Sequence, residues 1–225
     1  MQKTLHPISL IAVAAAAVVA LPAMAQSKGD WLVRGGITSV HPKDKSGDLS
    51  APSVPGTKVD VTGDTVVGGG ISYMLTDNWA VDLPLAMPLH NKIIASGALA
   101  GSGEIAKTKT YPATLFGQYH FGQSKDYCRP YLGAGPTYAY FDETTTNATL
   151  TALTNPGGSP TTLKIKNKLG FTVQAGVSVK LDEHWFYDVN VLATKLKTKA
   201  TLSTGQTIDV KLDPITVGAY LGYRF

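Results

Sequence analysis

Between Leu169 and Leu181 the residues Leu169, Phe171, Val173, Ala175, Val177, Val179 and Leu181 alternate with Gly170, Thr172, Gln174, Gly176, Ser178 and Lys180. A spacing of two puts these sets on opposite faces of an extended strand. The apolar set must leave water. The other set is mostly small, where a water-facing sheet would carry Lys and Glu. The last segment repeats the pattern: Ile215, Val217, Ala219, Leu221, Tyr223 and Phe225 alternate with Pro214, Thr216, Gly218, Tyr220, Gly222 and Arg224. Small residues suit the crowded interior of a narrow barrel whose outer face meets lipid. A soluble lipocalin-like barrel would reverse the two faces.

The same alternation marks eight strands: Trp31–Val40, Thr65–Met74, Trp79–His90, Tyr111–Phe121, Pro130–Phe141, Leu169–Leu181, Trp185–Lys197 and Pro214–Phe225. Tight turns at Thr76–Asn78, Gly122–Tyr127 and Asp182–His184 alternate with long connections. Those connections include a glycine- and lysine-bearing loop over Asn91–Lys109, a polar stretch running to about Ile165 and a last loop near Ser203–Gln206. No helical period competes. The prediction is all-β: an eight-stranded antiparallel up-and-down transmembrane β-barrel with short periplasmic turns and long extracellular loops, closed so that no edge strand is exposed.

The amino terminus fits export. Lys3, the apolar run Ile8–Leu21 and the Ala23-Met24-Ala25 cleavage pattern describe a secretory signal peptide over residues 1–25, leaving 26–225 as the barrel domain. No later apolar run approaches the roughly 20 residues of a membrane helix. Cys128 is the single cysteine, so no intramolecular disulfide forms. A formal charge of +4 is too mild to argue for nucleic acid. No histidines are spaced as a metal-ligand pair, and no cofactor or catalytic residue is expected. His41 and His90 are the only candidate bases near the outer rim, and no partnered nucleophile accompanies them.

Trp31, Trp79 and Trp185 each open an odd-numbered strand, so with Phe121, Tyr223 and Phe225 they form an aromatic girdle at the short-turn end. Tyr111, Tyr138, Tyr140 and Phe171 supply the opposite one. Three residues after each tryptophan come Arg34, Asp82 and Asp188. Equal spacing on strands running the same way places these three inside the lumen at one height. With Lys180 and Arg224 they are expected to form a polar plug, since opposite charges buried in a narrow lumen must pair.

Four stretches carry a resemblance: TDNWAVDLPLAMPLHNKI (Thr76–Ile93), YPATLFGQYHFG (Tyr111–Gly122), RPYLGAGPTYAYF (Arg129–Phe141) and LDPITVGAYLGYRF (Leu212–Phe225). They closely resemble the OmpW/AlkL family of Gram-negative outer-membrane proteins, in the family's order and across the whole mature chain. The resemblance implies an eight-stranded barrel in the outer membrane and passage of small hydrophobic molecules. Some members serve as receptors for bacteriocins or phage. The terminal Phe225, with apolar residues alternating before it, also looks like the signal read by outer-membrane assembly machinery.

Above the plug the inward residues are small or apolar, with Phe116 and Leu192 expected at the floor of an apolar cavity. Pro84 and Pro88 in the third strand and Pro112 in the fourth donate no ladder hydrogen bond, so they mark a weak seam and a candidate lateral opening into the bilayer. Lys107, Lys109, Lys195, Lys197, Lys199 and Lys211 share the parity of the lipid-facing residues but lie beyond the apolar band, where lipopolysaccharide phosphates are candidate contacts. The leading reading is a passive channel for small hydrophobic solutes with lateral exit. The alternative is a structural or receptor-type barrel acting through its loops.

Overall fold

The computed structural model describes residues 26–225, so the expected signal peptide lies outside the described residues. The strands of the first half are β1 (Trp31–His41), β2 (Lys45–Ser46), β3 (Thr57–Val61), β4 (Asp64–Met74), β5 (Trp79–Ala86), β6 (Leu89–Gly97), β7 (Glu104–Thr114) and β8 (Phe116–His120). After them come β9 (Cys128–Thr146), helix α1 (Ala148–Thr154), β10 (Leu163–Ile165), β11 (Lys168–Lys180) and β12 (Trp185–Lys195). The chain finishes with β13 (Lys197–Leu202), β14 (Thr207–Lys211) and β15 (Ile215–Arg224).

Eight of these strands form the wall of a closed antiparallel barrel. Their order is β11-β12-β15-β1-β4-β5-β8-β9, and pairing of β9 with β11 completes the ring. Closure leaves the membrane wall no free edge, which a sheet in hydrocarbon requires. Numbered along the chain, staves one to eight are β1, β4, β5, β8, β9, β11, β12 and β15. The wall is inside out relative to a water-soluble barrel. Leu169 is 70% exposed and Val67 61%, whereas inward Asp82 is fully buried and Gln118 is 1% exposed.

The aromatic girdle at the short-turn end is built from paired rings. Trp31 lies 4.9 Å from Tyr73, Trp79 5.1 Å from Tyr119, and Trp185 5.0 Å from Tyr223, which in turn meets Phe225 at 4.8 Å. At the far end Tyr111 and Tyr140 are cross-strand neighbours with ring centroids 6.0 Å apart, beside exposed Tyr138 and Phe171.

The expected long loops are largely folded. Asn91–Lys109 is not a loop: β6 and β7 form a hairpin that continues the barrel upward, with β3 on its edge. Alternation persists there, with Leu89, Asn91, Ile93 and Ala95 buried and His90 and Lys92 exposed. Register shifts at Ile93/Ile94 and between Lys107 and Lys109 break strict period two and disguise the strands. On the other side β10, β13, β14 and β2 form a four-stranded sheet. The polar stretch also holds a helix: α1 is capped by Asn147, whose side chain accepts the Leu150 N–H at 3.1 Å. Two expected strands are interrupted. The third stops at Ala86 and resumes at Leu89, and the fourth breaks at Leu115.

Candidate functional site

The lower lumen is crossed by ion pairs and hydrogen bonds. Arg34 Nη1 lies 2.9 Å from Asp82 Oδ1, and Nη2 donates to Oδ2 at 3.0 Å. Ser72, on the stave between them, accepts from Arg34 and donates to Asp82. Arg34 Nε stands 3.9 Å from Asp188 Oδ1. Asp188 accepts in turn from the Tyr131 hydroxyl at 2.9 Å and the Ser178 hydroxyl at 2.8 Å. The three charges therefore share one layer. Each has its lone pairs or protons largely engaged, as burial demands.

Small residues make room for this layer. A Cβ on Gly70 would sit 2.9 Å from the Arg34 guanidinium, and one on Gly176 would enter the Tyr131 ring. Further polar contacts border this layer: Gln118 donates to Gln174 at 2.8 Å and His120 stacks on Tyr131 at 4.9 Å.

Lys180 and Arg224 are not in the ion layer. Arg224 pairs with Asp30 at 3.3 Å and donates to the Glu183 carbonyl, which places it at the periplasmic mouth. Lys180 and Arg224 line a small recess there with Arg129. Arg129, which the sequence reading overlooked, reaches the carbonyls of Gln26, Asp77 and Phe121 and ties three segments across the mouth. Its signal was available: it is inward by parity, one residue before the expected start of its strand.

Above the ion layer the lumen opens into an apolar cavity of about 210 Å³. Its floor is set by Tyr220, whose hydroxyl is 2.8 Å from that of Thr38, and by Leu192. Phe116 is buried at the level of Asp82, its cross-strand neighbour, and does not line this cavity. A row of threonines runs from Thr114 at the end of β7 across staves five to seven. Thr114 bonds Thr137, Thr137 bonds Thr172, and Thr172 bonds Thr194 at 2.9 Å. Hydroxyls satisfied by one another present methyl groups to the space beside them. Higher up, Ile93, Ile105, Leu150, Leu202 and Ile208 continue the apolar lining into the extracellular tier.

The three prolines flank an interruption of the wall. Between staves three and four the ladder runs from Trp79↔Tyr119 to Asp82↔Phe116, lapses, and resumes at Leu89↔Thr110. Pro84 and Pro88 on one side and Pro112 of β7 on the other have no partner across this seam, although Pro84 still pairs with Gly70 and Pro112 with Ala139 on their far sides. The backbone N–H groups of Met87 and Leu115 turn away to Val67 and Pro136 on the outer neighbours. Pro84, Ala86 and Pro112 line the cavity, and so does Leu85, which is half exposed on the lipid side.

The profile of the OmpW family matches residues 27–225, the whole of this barrel. The chain belongs to the OmpW family. Its relatives include outer membrane protein W of Vibrio cholerae, 34% identical over 93% of this chain and 95% of that one. Outer membrane protein AlkL of Ectopseudomonas oleovorans is 25% identical over 88% of this chain and 84% of its own. Among solved structures, the crystal structure of OprG from Pseudomonas aeruginosa covers 89% of this chain and 98% of its own. It superposes with a TM-score of 0.81 at 29% identity. This OmpW-family barrel is thus a protein of the Gram-negative outer membrane, with lipid as its surroundings, and its kin are barrel proteins rather than enzymes.

On the outer face of this OmpW-family barrel most of the six lysines singled out by parity already hold carboxylates. Lys107 lies 3.4 Å from Glu104, Lys109 pairs with Glu143, and Lys199 is 3.6 Å from Asp209. Lys195 and Lys211 share Asp213, each at 3.2 Å, and Lys197 is exposed.

Proposed function

We propose that this barrel is a passive channel for small hydrophobic molecules, which enter the apolar lumen from outside and leave sideways into the bilayer between staves three and four. One observation carries the reading: the apolar cavity borders the lapsed ladder and stands directly on a buried ion layer. An apolar solute gains roughly 25 cal/mol for each Å² it buries in such a cavity. Moving down would require it to part Arg34 from Asp82 and Asp188, exposing buried charge to a group that cannot hydrogen-bond. Moving sideways at Pro84, Pro88 and Pro112 breaks no ladder hydrogen bond, because none is formed there. The lipid outside is as apolar as the cavity.

Two contacts accompany this role. Phe225, half exposed at the periplasmic end, is the residue offered to outer-membrane assembly machinery. Outward lysines drawn from Lys107, Lys109, Lys195, Lys197, Lys199 and Lys211 meet lipopolysaccharide phosphates.

The test is uptake of n-octane into liposomes holding the purified barrel. Transport predicts faster uptake than in protein-free liposomes. Equal rates overturn the channel and favour a structural or receptor barrel.

A further inference from the structure

The lysines of the extracellular tier are distributed unevenly around the barrel. In the four-stranded sheet Lys197 of β13 stands opposite Lys211 of β14, and Lys211 stands opposite Lys45 of β2. With strands about 4.8 Å apart, this row of three cations spans roughly 10 Å. Lys164 and Lys166 lie on the next strand and just past its end, the Lys166 N–H donating to the Lys199 carbonyl, and Lys168 opens β11 below them. Like charges facing each other across a ladder are unfavourable unless something else neutralises them.

Carboxylates do so only in part. Asp213 serves Lys195 and Lys211, and Asp209 serves Lys199. Among the described residues, Lys45, Lys164, Lys166, Lys168 and Lys197 have no carboxylate at ion-pair distance. The opposite wall differs. Lys92 and Lys107 share Glu104, Lys109 holds Glu143, and exposed Asp60 and Asp142 add negative charge.

Position completes the picture. Unpartnered lysines occupy the upward continuations of staves six, seven and one, flanking Lys211 and its carboxylate on stave eight, whereas the opposite wall leaves only Lys58 of β3 without a carboxylate among its described lysines. The seam lies between three and four, diametrically across a ring of eight. The cations also begin where the lipid-facing band ends, since Lys195 is the cross-strand neighbour of exposed Phe171. That is the height at which the phosphates of an outer leaflet lie.

We propose that this wall is a one-sided docking surface for the lipid A phosphates of lipopolysaccharide, so that the barrel is tethered on the side away from its seam. This deepens, and rests on, the lipopolysaccharide contact proposed above. It adds Lys45, Lys164, Lys166 and Lys168 and removes Lys107 and Lys109. The seam then faces lipid that the protein does not hold, into which a solute can disperse.

The experiment measures binding of diphosphoryl lipid A, and of lipid A stripped of both phosphates, to the full barrel in phospholipid nanodiscs. One variant carries Lys45→Gln, Lys166→Gln and Lys197→Gln, and a control carries Lys58→Gln, Lys92→Gln and Lys107→Gln. All six side chains are exposed, and gel mobility with and without heating verifies folding. The expected result is a preference for the phosphorylated lipid that falls about fivefold per far-wall lysine, roughly 100-fold in the triple variant. The control is expected to change it less than about threefold. Equal losses in both variants would overturn the one-sided docking while leaving the general contact standing. Equal binding of the two lipids by the unaltered barrel would overturn both.

Discussion

Arg34 reaches past an intervening stave to Asp82, its Nη1 lying 2.9 Å from Oδ1 with both side chains buried. Strands β1 and β5 are not neighbours, so the pair acts as a strut across the lumen, with Ser72 of β4 bonded to both ends. A buried pair of this kind is costly to break because the survivor is left charged and unpartnered. Arg34→Met is expected to destabilise the barrel by about 3–5 kcal/mol, leaving Asp82 and Asp188 without their cation. Asp82→Asn should cost less, and the double variant less than the sum of the two. Urea unfolding in lipid bilayers, followed by gel mobility, reads all three.

The Tyr131 ring lies over Gly176, where no side chain intervenes, and its hydroxyl donates to Asp188. Gly176→Val should push the ring out of the ion layer and cost about 1–3 kcal/mol by overpacking. Gly117→Ala is the matched control, because a Cβ there meets nothing within 4 Å. Comparable losses from both substitutions would count against the packing account.

These two sites show what could be read before the fold was known. The shared Trp-x-x spacing placed Arg34, Asp82 and Asp188 in one layer, because parity and height follow directly from strand geometry. Lys180 and Arg224 have the right parity but the wrong height, and parity alone cannot separate the ion layer from the periplasmic mouth. The upper tier reads as loops in sequence because bulges at Ile93 and Lys107 reset the alternation within the hairpin. Parity puts Phe116 inward, but its expected height at the cavity floor is one storey above where it stands. Thr114↔Thr137 and Gly117↔Ala134 keep one register across the break at Leu115, and Phe116 stands opposite Asp82, level with the ion layer rather than with the cavity.

Asp182 gives a pH dependence at the periplasmic turn. Its carboxylate accepts the Trp185 N–H at 2.8 Å and the His184 N–H at 2.7 Å, which hold it below the usual carboxylate range. A depressed folded value means that its contribution to stability is present above the unfolded pKa and is lost as pH falls through the folded one. The thermal midpoint in micelles should therefore drop between about pH 5 and 3, and drop less in Asp182→Asn. Identical acid profiles for the two proteins would remove Asp182 as a contributor.

Phe225 exchanges backbone hydrogen bonds with Trp31 and packs on Tyr223, yet remains half exposed. Removing it should slow insertion catalysed by assembly machinery by about tenfold or more, equivalent to some 1.4 kcal/mol of barrier. Spontaneous folding into micelles should be nearly unchanged. Equal slowing in both systems would make Phe225 a structural residue only.

Lateral exit is read by the rate of n-octane uptake by proteoliposomes carrying Pro84→Ala/Pro88→Ala/Pro112→Ala. Alanine restores three backbone donors where the ladder lapses, each worth about 1 kcal/mol toward closing the seam. Lateral exit predicts a fall in rate of at least about tenfold with the barrel still folded. An unchanged rate would contradict it.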